Sequence, residues 1–420
     1  MDFLLVTLGS FGDVHPFVGL GQVLAARGHR VRLLVNEHFH PLVRGAGLEA
    51  VSSGTAAEYA RWAGHPDIWH PRKGTEVIFK GVAQTLRQLF DAVDDAAGPG
   101  TIPVASTISA GARIWAEVHD RPFATVHLAP MCLRTVHDMP ALPGMPFSFN
   151  WMPMWMRKKF WEGADRFFID PLLAKPVNEL RAQFGLEAVD RLFSAWWQSP
   201  HLVLGLWPEW YGPVQPDWPE PVTLCGFPMY DEADVTPMSP ELLAFLDAGE
   251  PPVAFTPGSA NVIGHRFFAA AADACRRLGR RGLLLTRHPE QLPAALPPGV
   301  IHVPYAPFSR LLPRTAALVH HGGVGTMSQA LAAGVPQLIM PMAHDQADNA
   351  VRLKRLGCAE SLGPRRFRGR ALAGKLATLL NNPAYVAAAR KAAKLVSRDG
   401  LRRAAEALEA LEPEAVPQSA

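Results

Sequence analysis

Cysteine is scarce: the 420-residue chain carries only Cys132, Cys225, Cys275 and Cys358. No two of them are close in sequence and no CxxC pair occurs. That argues against a zinc knuckle or a disulfide framework and fits a reducing compartment. Long apolar runs are also missing. No stretch reaches the roughly 18 consecutive apolar residues that a membrane-spanning helix needs, and the opening MDFLLVTLGS has neither the basic start nor the extended apolar core of a signal peptide. A cytoplasmic location is therefore expected. Nor is there an excess of charge of one sign. With 41 basic against 38 acidic side chains and a formal net charge of +3, the chain lacks the basic field expected of a nucleic-acid binder, so no nucleic-acid partner is expected.

What is present is the composition of a packed globular protein, 48% hydrophobic and 19% charged, at a length that suits two domains. The first segment has the order strand (3–7), glycine-bearing turn LGSFGD, helix (17–27) and strand (30–35). This order predicts a parallel sheet with right-handed crossovers. Further strands are expected at 103–106 and 123–127. The second half repeats the grammar, with strands at 252–255, 282–286, 300–303, 316–320 and 338–340 and helices at 267–278, 371–380 and 383–395. Between the halves, prolines at 208, 213, 216, 219, 221, 228 and 237 exclude a helix interior or a central strand. The expected fold is α/β, with two doubly wound Rossmann-like domains. The expected boundaries are 1–212, a Pro-rich linker 213–238, a second domain 239–396, a C-terminal helix 397–412 that crosses back to the first domain, and a loose tail 413–420.

The most informative stretch is VHHGGVGT, Val319 to Thr326. An apolar strand runs into Gly322, Gly323 and Gly325, and the helical sequence TMSQALAAG follows. Glycines let backbone approach an anion closely, and a helix N-terminus offers free N–H groups and the positive end of its dipole. Thr326 adds a hydroxyl, and His320 at the strand end is placed to donate to a phosphate oxygen. A tight turn with glycines for packing is the plainer role, but the strand–loop–helix order favours a phosphate cradle. TPGSAN (256–261) is a second strand-end turn from which Gly258 and Ser259 could reach the same anion. Tyr305 follows a strand and suits base stacking, with the Ala306 backbone beside it. Asp345 and Gln346 carry acceptor and amide groups suited to vicinal sugar hydroxyls, although a helix cap would also use Asp345.

Together, VPYAPFSRLLPRTAALVHHGGVGTMSQALAAGVPQLIMPMAHDQADNA (303–350), the opening GSFGDVHPF and the position of the linker resemble the inverting, GT-B-fold glycosyltransferases of family 1. Within that family, FTPGSAN, HHGGVGT and VHLAP look most like bacterial lipid rhamnosyltransferases and sterol and macrolide glycosyltransferases. The resemblance implies a cleft between the two domains and a UDP- or dTDP-sugar donor. By motif, Tyr305 takes the base-stacking place, where plant members usually have Trp. His320 takes the α-phosphate place, Gly325 and Thr326 the β-phosphate place, and Asp345 and Gln346 the sugar-hydroxyl place. Asp13 takes the place of the general base, with Ser10 in the loop facing the phosphates and His15 as a rival near the acceptor. Plant relatives pair their catalytic histidine with an aspartate near the fourth strand. Here VASTISAGARIW (104–115) has no carboxylate, which is consistent with an aspartate base.

No DxD triplet occurs, so no metal and no further cofactor are expected. His38 and His40 lack a nearby third ligand and have the look of structural residues. The segment 145–168 concentrates Trp151, Trp155, Met152, Met156 and Trp161 with Arg157, Lys158 and Lys159. It is expected to form an apolar acceptor wall through Trp151 and Trp155, or a peripheral contact at the inner membrane surface; Trp196 and Trp197 either join that wall or pack. Either way the acceptor is an apolar small molecule or lipid. Two alternatives stay open: a nucleotide-sugar 2-epimerase of the same fold, and a non-catalytic donor-binding partner protein.

Overall fold

The structure is a computed structural model that describes residues 1–145, 147–233 and 236–411; the tail 413–420 lies outside the described residues. Two parallel sheets organise it. The first has seven strands, β1 (Asp2–Val6), β2 (Arg30–Val35), β3 (Glu49–Ser52), β4 (Thr101–Ser106), β5 (Ala124–His127), β6 (Leu202–Gly205) and β7 (Val222–Leu224), in the order β3-β2-β1-β4-β5-β6-β7. The second has six, β8 (Val253–Thr256), β9 (Gly282–Leu285), β10 (Val300–Val303), β11 (Ala317–His320), β12 (Gln337–Ile339) and β13 (Ala359–Ser361), in the order β10-β9-β8-β11-β12-β13. Central strands such as β1 and β11 are buried on both faces, which is why they are continuous apolar runs rather than alternating ones.

Strand order fixes where ligands can bind. In each sheet the direction of winding reverses once, between β1 and β4 and between β8 and β11. Loops leaving the carboxyl ends at such a switch point diverge and leave a crevice. These ends carry Ser10 and then Asp13 after β1, Thr107 after β4, Gly258 and Ser259 after β8, and residues 321–326 after β11.

Three features depart from or refine the expectations. The first helix spans Phe11–Ala26, not 17–27. Ser10 caps it and Asp13 is its third residue, so Asp13 and His15 lie in helical turns rather than in a loop. Second, β7 comes from inside the Pro-rich stretch and pairs with β6 at the sheet edge, a place where proline-flanked backbone is tolerated. Third, helix Gly400–Glu409 buries Leu401, Ala404, Ala405 and Leu408 in the core of the first domain. Gly19 makes that crossing possible, since a Cβ there would lie 2.7 Å from Leu401 Cδ1. Arg27 and His29 each reach Glu409 at 2.7 Å.

The domains also share a core away from the cleft. Trp207, Tyr211, Trp218 and Phe227 cluster with Met327, Leu331, Leu353 and Cys358. Exposing this shared apolar cluster to water would be costly, which disfavours wide separation of the domains.

Candidate functional site

On the first domain's side, Asp13 and Ser10 form a capping box. Asp13 Oδ2 accepts from Ser10 N at 2.7 Å and from Ser10 Oγ at 3.1 Å, while Gly12 N donates to Ser10 Oγ at 3.3 Å. The plain helix-cap role is thus observed. It holds the carboxylate in one place by one oxygen, and among the described residues Oδ1 makes no hydrogen bond. Ser10 is occupied with this cap, so its hydroxyl is a support for Asp13 before anything else. Burial raises the Asp13 pKa above the usual carboxylate range, and the Ser10 hydrogen bonds partly oppose the shift.

On the second domain's side, the β11 loop enters helix Val324–Ala333, whose cap position is Gly323 and has no side chain to satisfy the first N–H groups. Gly322 needs φ +101°, and a Cβ there would strike Ile339 and the Gln346 backbone. Gly325 differs, because a Cβ there would meet nothing within 4 Å. Internal packing therefore does not require glycine there. The Thr326 side chain is half-buried beside it.

His320 is not where the motif puts it. It is fully buried. Gly322 N donates to its Nδ1 at 3.1 Å, so Nε2 carries the proton and donates to Gln337 Oε1 at 3.0 Å. With both nitrogens used inside the fold, the ring holds the loop from behind. His321 is the histidine at the crevice. Its ring lies between the two glycine turns, 2.7 Å from where a Gly258 Cβ would stand and 2.5 Å from a Gly323 Cβ. Its Nδ1 is buried without a hydrogen-bond partner, and burial holds its pKa down at about 4. Gly258 itself adopts φ +94° and donates its N–H to Thr256 Oγ1 at 3.2 Å, while Ser259 is exposed.

Asp345 sits at the head of helix Gln346–Arg355 but does not cap it; its Oδ2 accepts from Asn349 Nδ2 at 2.7 Å. Asn349 also donates to Gly322 O at 2.9 Å and accepts from Tyr211 OH at 2.8 Å, tying the glycine loop, Asp345 and the first domain together. Gln346 has its oxygen committed to Met342 N (2.8 Å) and Ala343 N (3.2 Å), which leaves only its amide group for a ligand. His344 adopts φ +56° and its ring meets Trp69 of the first domain at 5.5 Å. Such strain in a non-glycine residue concentrates at functional sites.

The two sides meet. Burial, and then the charge on Asp13, push the Asp345 pKa up to about 7. Cys132 is pushed up to about 12 by burial, with both carboxylates adding to the shift. Asp345 and Cys132 therefore each feel the Asp13 charge across the domain boundary. A raised folded-state pKa means that stability is present below the unfolded value of 3.8 and is lost as pH rises to about 7. Asp345→Asn is accordingly expected to melt above the parent at pH 8, on the order of 2 °C, with the gap closing by pH 4. Parallel thermal melts across that range check it, and a pH-independent difference would contradict the shift.

At the far end of the crevice, Tyr305 OH donates to Asp231 O at 2.6 Å and Ala306 is buried next to it. The Arg287 guanidinium lies 4.8 Å from the Tyr305 ring centre. His15 points to this end rather than to the acceptor side, with Nε2 3.0 Å from Glu232 Oε1.

Trp151 and Trp155 are open to solvent, 71% and 69% exposed. Trp155 lies on helix Met154–Ala164 and Trp151 just before it. Trp196 and Trp197 are buried, donating to Glu117 and to Thr107 O. Residues 138–141 pack against the helix Gln346–Arg355 of the second domain. Ala141 N donates to Asp348 Oδ1 at 3.0 Å and Arg352 meets Asp138 at 3.0 Å. His38 is structural in the way its spacing suggests, stacked on Tyr59 at 4.3 Å.

Sequence patterns missed His321, Asn349 and Arg287. Two of them flank motif residues, and only the direction of the β11 pleat separates His320 from His321. Among the described residues no three His, Cys, Asp or Glu side chains gather as metal ligands, and no helix is long and apolar enough to cross a membrane.

Residues 3–137 match the glycosyltransferase family 28 N-terminal domain, and residues 283–411 match the erythromycin biosynthesis protein CIII-like C-terminal domain. The chain is 34% identical to O-mycaminosyltylonolide 6-deoxyallosyltransferase of Streptomyces fradiae, over 95% of this chain and 94% of that one. It is 29% identical to glycosyltransferase GtfE of Amycolatopsis orientalis, over 85% of each. Among solved structures, the kitacinnamycin glycotransferase superposes with a TM-score of 0.72 at 21% identity, covering 97% of this chain and 98% of that one. A spinosyn rhamnosyltransferase complexed with thymidine diphosphate gives 0.68 at 17% identity, covering 97% and 100%. The two facing parallel-sheet domains are the GT-B architecture, and the chain belongs to the GT-B glycosyltransferases of the erythromycin CIII-like type.

Proposed function

We propose that this glycosyltransferase moves a hexose or deoxyhexose from a UDP- or dTDP-sugar to a hydroxyl of an apolar acceptor, with inversion at the anomeric carbon, and that Asp13 is the general base. The observation that carries the proposal is that Asn349 ties Asp345 to the glycine loop at Gly322, while the Asp13 charge of the other domain acts on that same Asp345. In this reading the diphosphate lies on Gly322, Gly323, Gly325 and Thr326. The helix N-terminus and the His321 N–H stabilise the charge that builds on the leaving group. They do the work a cation does in metal-dependent relatives, so transfer needs no metal or other cofactor. Asp345 accepts from sugar hydroxyls, Gln346 donates to them, and the base stacks on Tyr305 beside Ala306. Gly258 and Ser259 close over the diphosphate from the β8 side.

Asp13 takes the proton from the acceptor hydroxyl as its oxygen attacks the anomeric carbon, and the bond to the β-phosphate oxygen breaks on the opposite side. A carboxylate with a raised pKa is a stronger base and suits this step. The thymidine diphosphate bound by the spinosyn enzyme and the deoxyallosyl transfer named for the Streptomyces relative favour a deoxysugar donor and a macrocyclic or lipid-like acceptor. The exposed Trp151, Met154, Trp155 and Phe167, with Lys158 and Lys159 among them, give such an acceptor an apolar approach. The same mixture suits a peripheral contact with an anionic lipid surface.

The test is incubation with UDP- and dTDP-hexoses and a panel of apolar alcohols, with the product's anomeric configuration read by NMR. An inverted glycoside is expected. Retention of configuration would overturn the mechanism, and conversion of the donor without any acceptor would favour the epimerase.

A further inference from the structure

Arg287 joins the expected base site to the helix bearing Asp13. It leaves the carboxyl end of β9 in the second domain and is 40% exposed. Its guanidinium carbon lies 4.8 Å from the ring centre of Tyr305 and 4.6 Å from that of Phe11, the first residue of helix Phe11–Ala26. Phe11 in turn packs edge-on to Phe39 at 5.0 Å. A planar cation between two rings, one from each domain, makes two cation–π contacts. Glu232 of the connecting segment, itself against His15 at 3.0 Å, stands 3.7 Å from the same guanidinium. The Tyr305 ring is fixed by its hydroxyl on Asp231 O. It cannot turn away from Arg287 without breaking that bond.

We propose that Arg287 is a donor-gated clasp. In the nucleotide-free enzyme it covers the Tyr305 face and latches the second domain to Phe11. The planar base of the donor takes its place on Tyr305, releasing the latch on the helix that carries Asp13. The proposal rests on the reading of Tyr305 as the base site. Its consequence is that donor binding must first displace an internal cation, so the enzyme binds nucleotide more weakly than its site would allow. The competing group is a flat heterocycle of any identity, so uridine and thymidine nucleotides pay alike for the displacement.

The experiment is calorimetric titration of UDP and dTDP into the parent, Arg287→Ala, Arg287→Lys, Tyr305→Leu and the Arg287→Ala/Tyr305→Leu double variant, with thermal melts to confirm folding. Arg287→Ala is expected to tighten binding by about threefold to tenfold, and Arg287→Lys, which keeps charge but loses the planar stack, by less. Tyr305→Leu is expected to weaken binding, and adding Arg287→Ala to it should change nothing further. In small-angle scattering, nucleotide-free Arg287→Ala should have the larger radius of gyration. Weakened binding in Tyr305→Leu together with unchanged or weaker binding in Arg287→Ala would overturn the clasp alone. Unchanged binding in Tyr305→Leu would overturn the base-site reading and the clasp with it.

Discussion

Asp13→Asn is expected to lower turnover by about 10³-fold while leaving nucleoside diphosphate affinity within about twofold, the size expected for loss of a general base. The substitution is nearly isosteric. The asparagine oxygen can still accept from Ser10 N, which now holds the carboxylate at 2.7 Å, so the start of helix Phe11–Ala26 should survive and the melting temperature should barely move. What is lost is the ability to take a proton. The parent's pH profile carries the same signature. Burial raises the Asp13 pKa and only its ionised form is a base, so activity should fall on acidification with a midpoint above the usual carboxylate range. Removing the Ser10 hydroxyl, whose hydrogen bond lowers that pKa, should move the midpoint higher still. Initial rates against pH for the parent, Ser10→Ala and Asp13→Asn test this together. Turnover in Asp13→Asn within a few-fold of the parent would remove Asp13 from the chemistry.

The adjacent histidines should separate cleanly. His321→Ala is expected to weaken nucleoside diphosphate binding by about tenfold or more, the worth of one hydrogen bond to a charged group in a buried site. Its melting temperature should hold or rise, because an unpartnered buried nitrogen is removed. His320→Ala should do the reverse. It orphans Gln337 Oε1 and Gly322 N inside the core, at a cost of about 1–3 kcal/mol for each unsatisfied group, and lowers the melting temperature. Its effect on nucleotide binding then comes only through a loosened loop. Titration calorimetry and thermal melts on the two variants decide the matter. A larger loss of affinity in His320→Ala than in His321→Ala would show that the ring facing the crevice has been misassigned.

Much of this was legible in the sequence, and the failures have specific physical causes. The parallel sheets were legible because strands buried on both faces leave short apolar runs such as 317–320, bounded by glycine turns. The glycine loop was legible because strand, glycines and helix start lie in one continuous stretch. The onset of the first helix was not. Gly12 and Pro16 hide the periodicity, and the signal that would have found it is the pair Ser10 and Asp13, spaced as a capping box. The choice between His320 and His321 depends on the pleat of β11, which two adjacent identical residues cannot report. The aromatic segment 145–168 was half legible for a different reason. Its helical spacing is real, but Phe160 and Trp161 face inward while Trp155 and Lys158 face water, and spacing alone does not say which stripe is covered. Asn349 and Arg287 act by joining parts far apart in the chain, a role that no local pattern encodes.

The claim at the centre is that the loop from Gly322 to Thr326 holds a nucleoside diphosphate, and Gly325 allows it to be tested without disturbing the fold. A methyl group there would meet no protein atom within 4 Å, and alanine favours the helix that glycine weakens. Gly325→Ala should therefore melt at or slightly above the parent temperature. The measurement is calorimetric titration of UDP and dTDP into the two proteins. A Kd at least about tenfold weaker in Gly325→Ala, with the melt preserved, is the result expected of a methyl group standing where the diphosphate lies. Equal affinity for both nucleotides in the two proteins would place the diphosphate elsewhere and contradict the site.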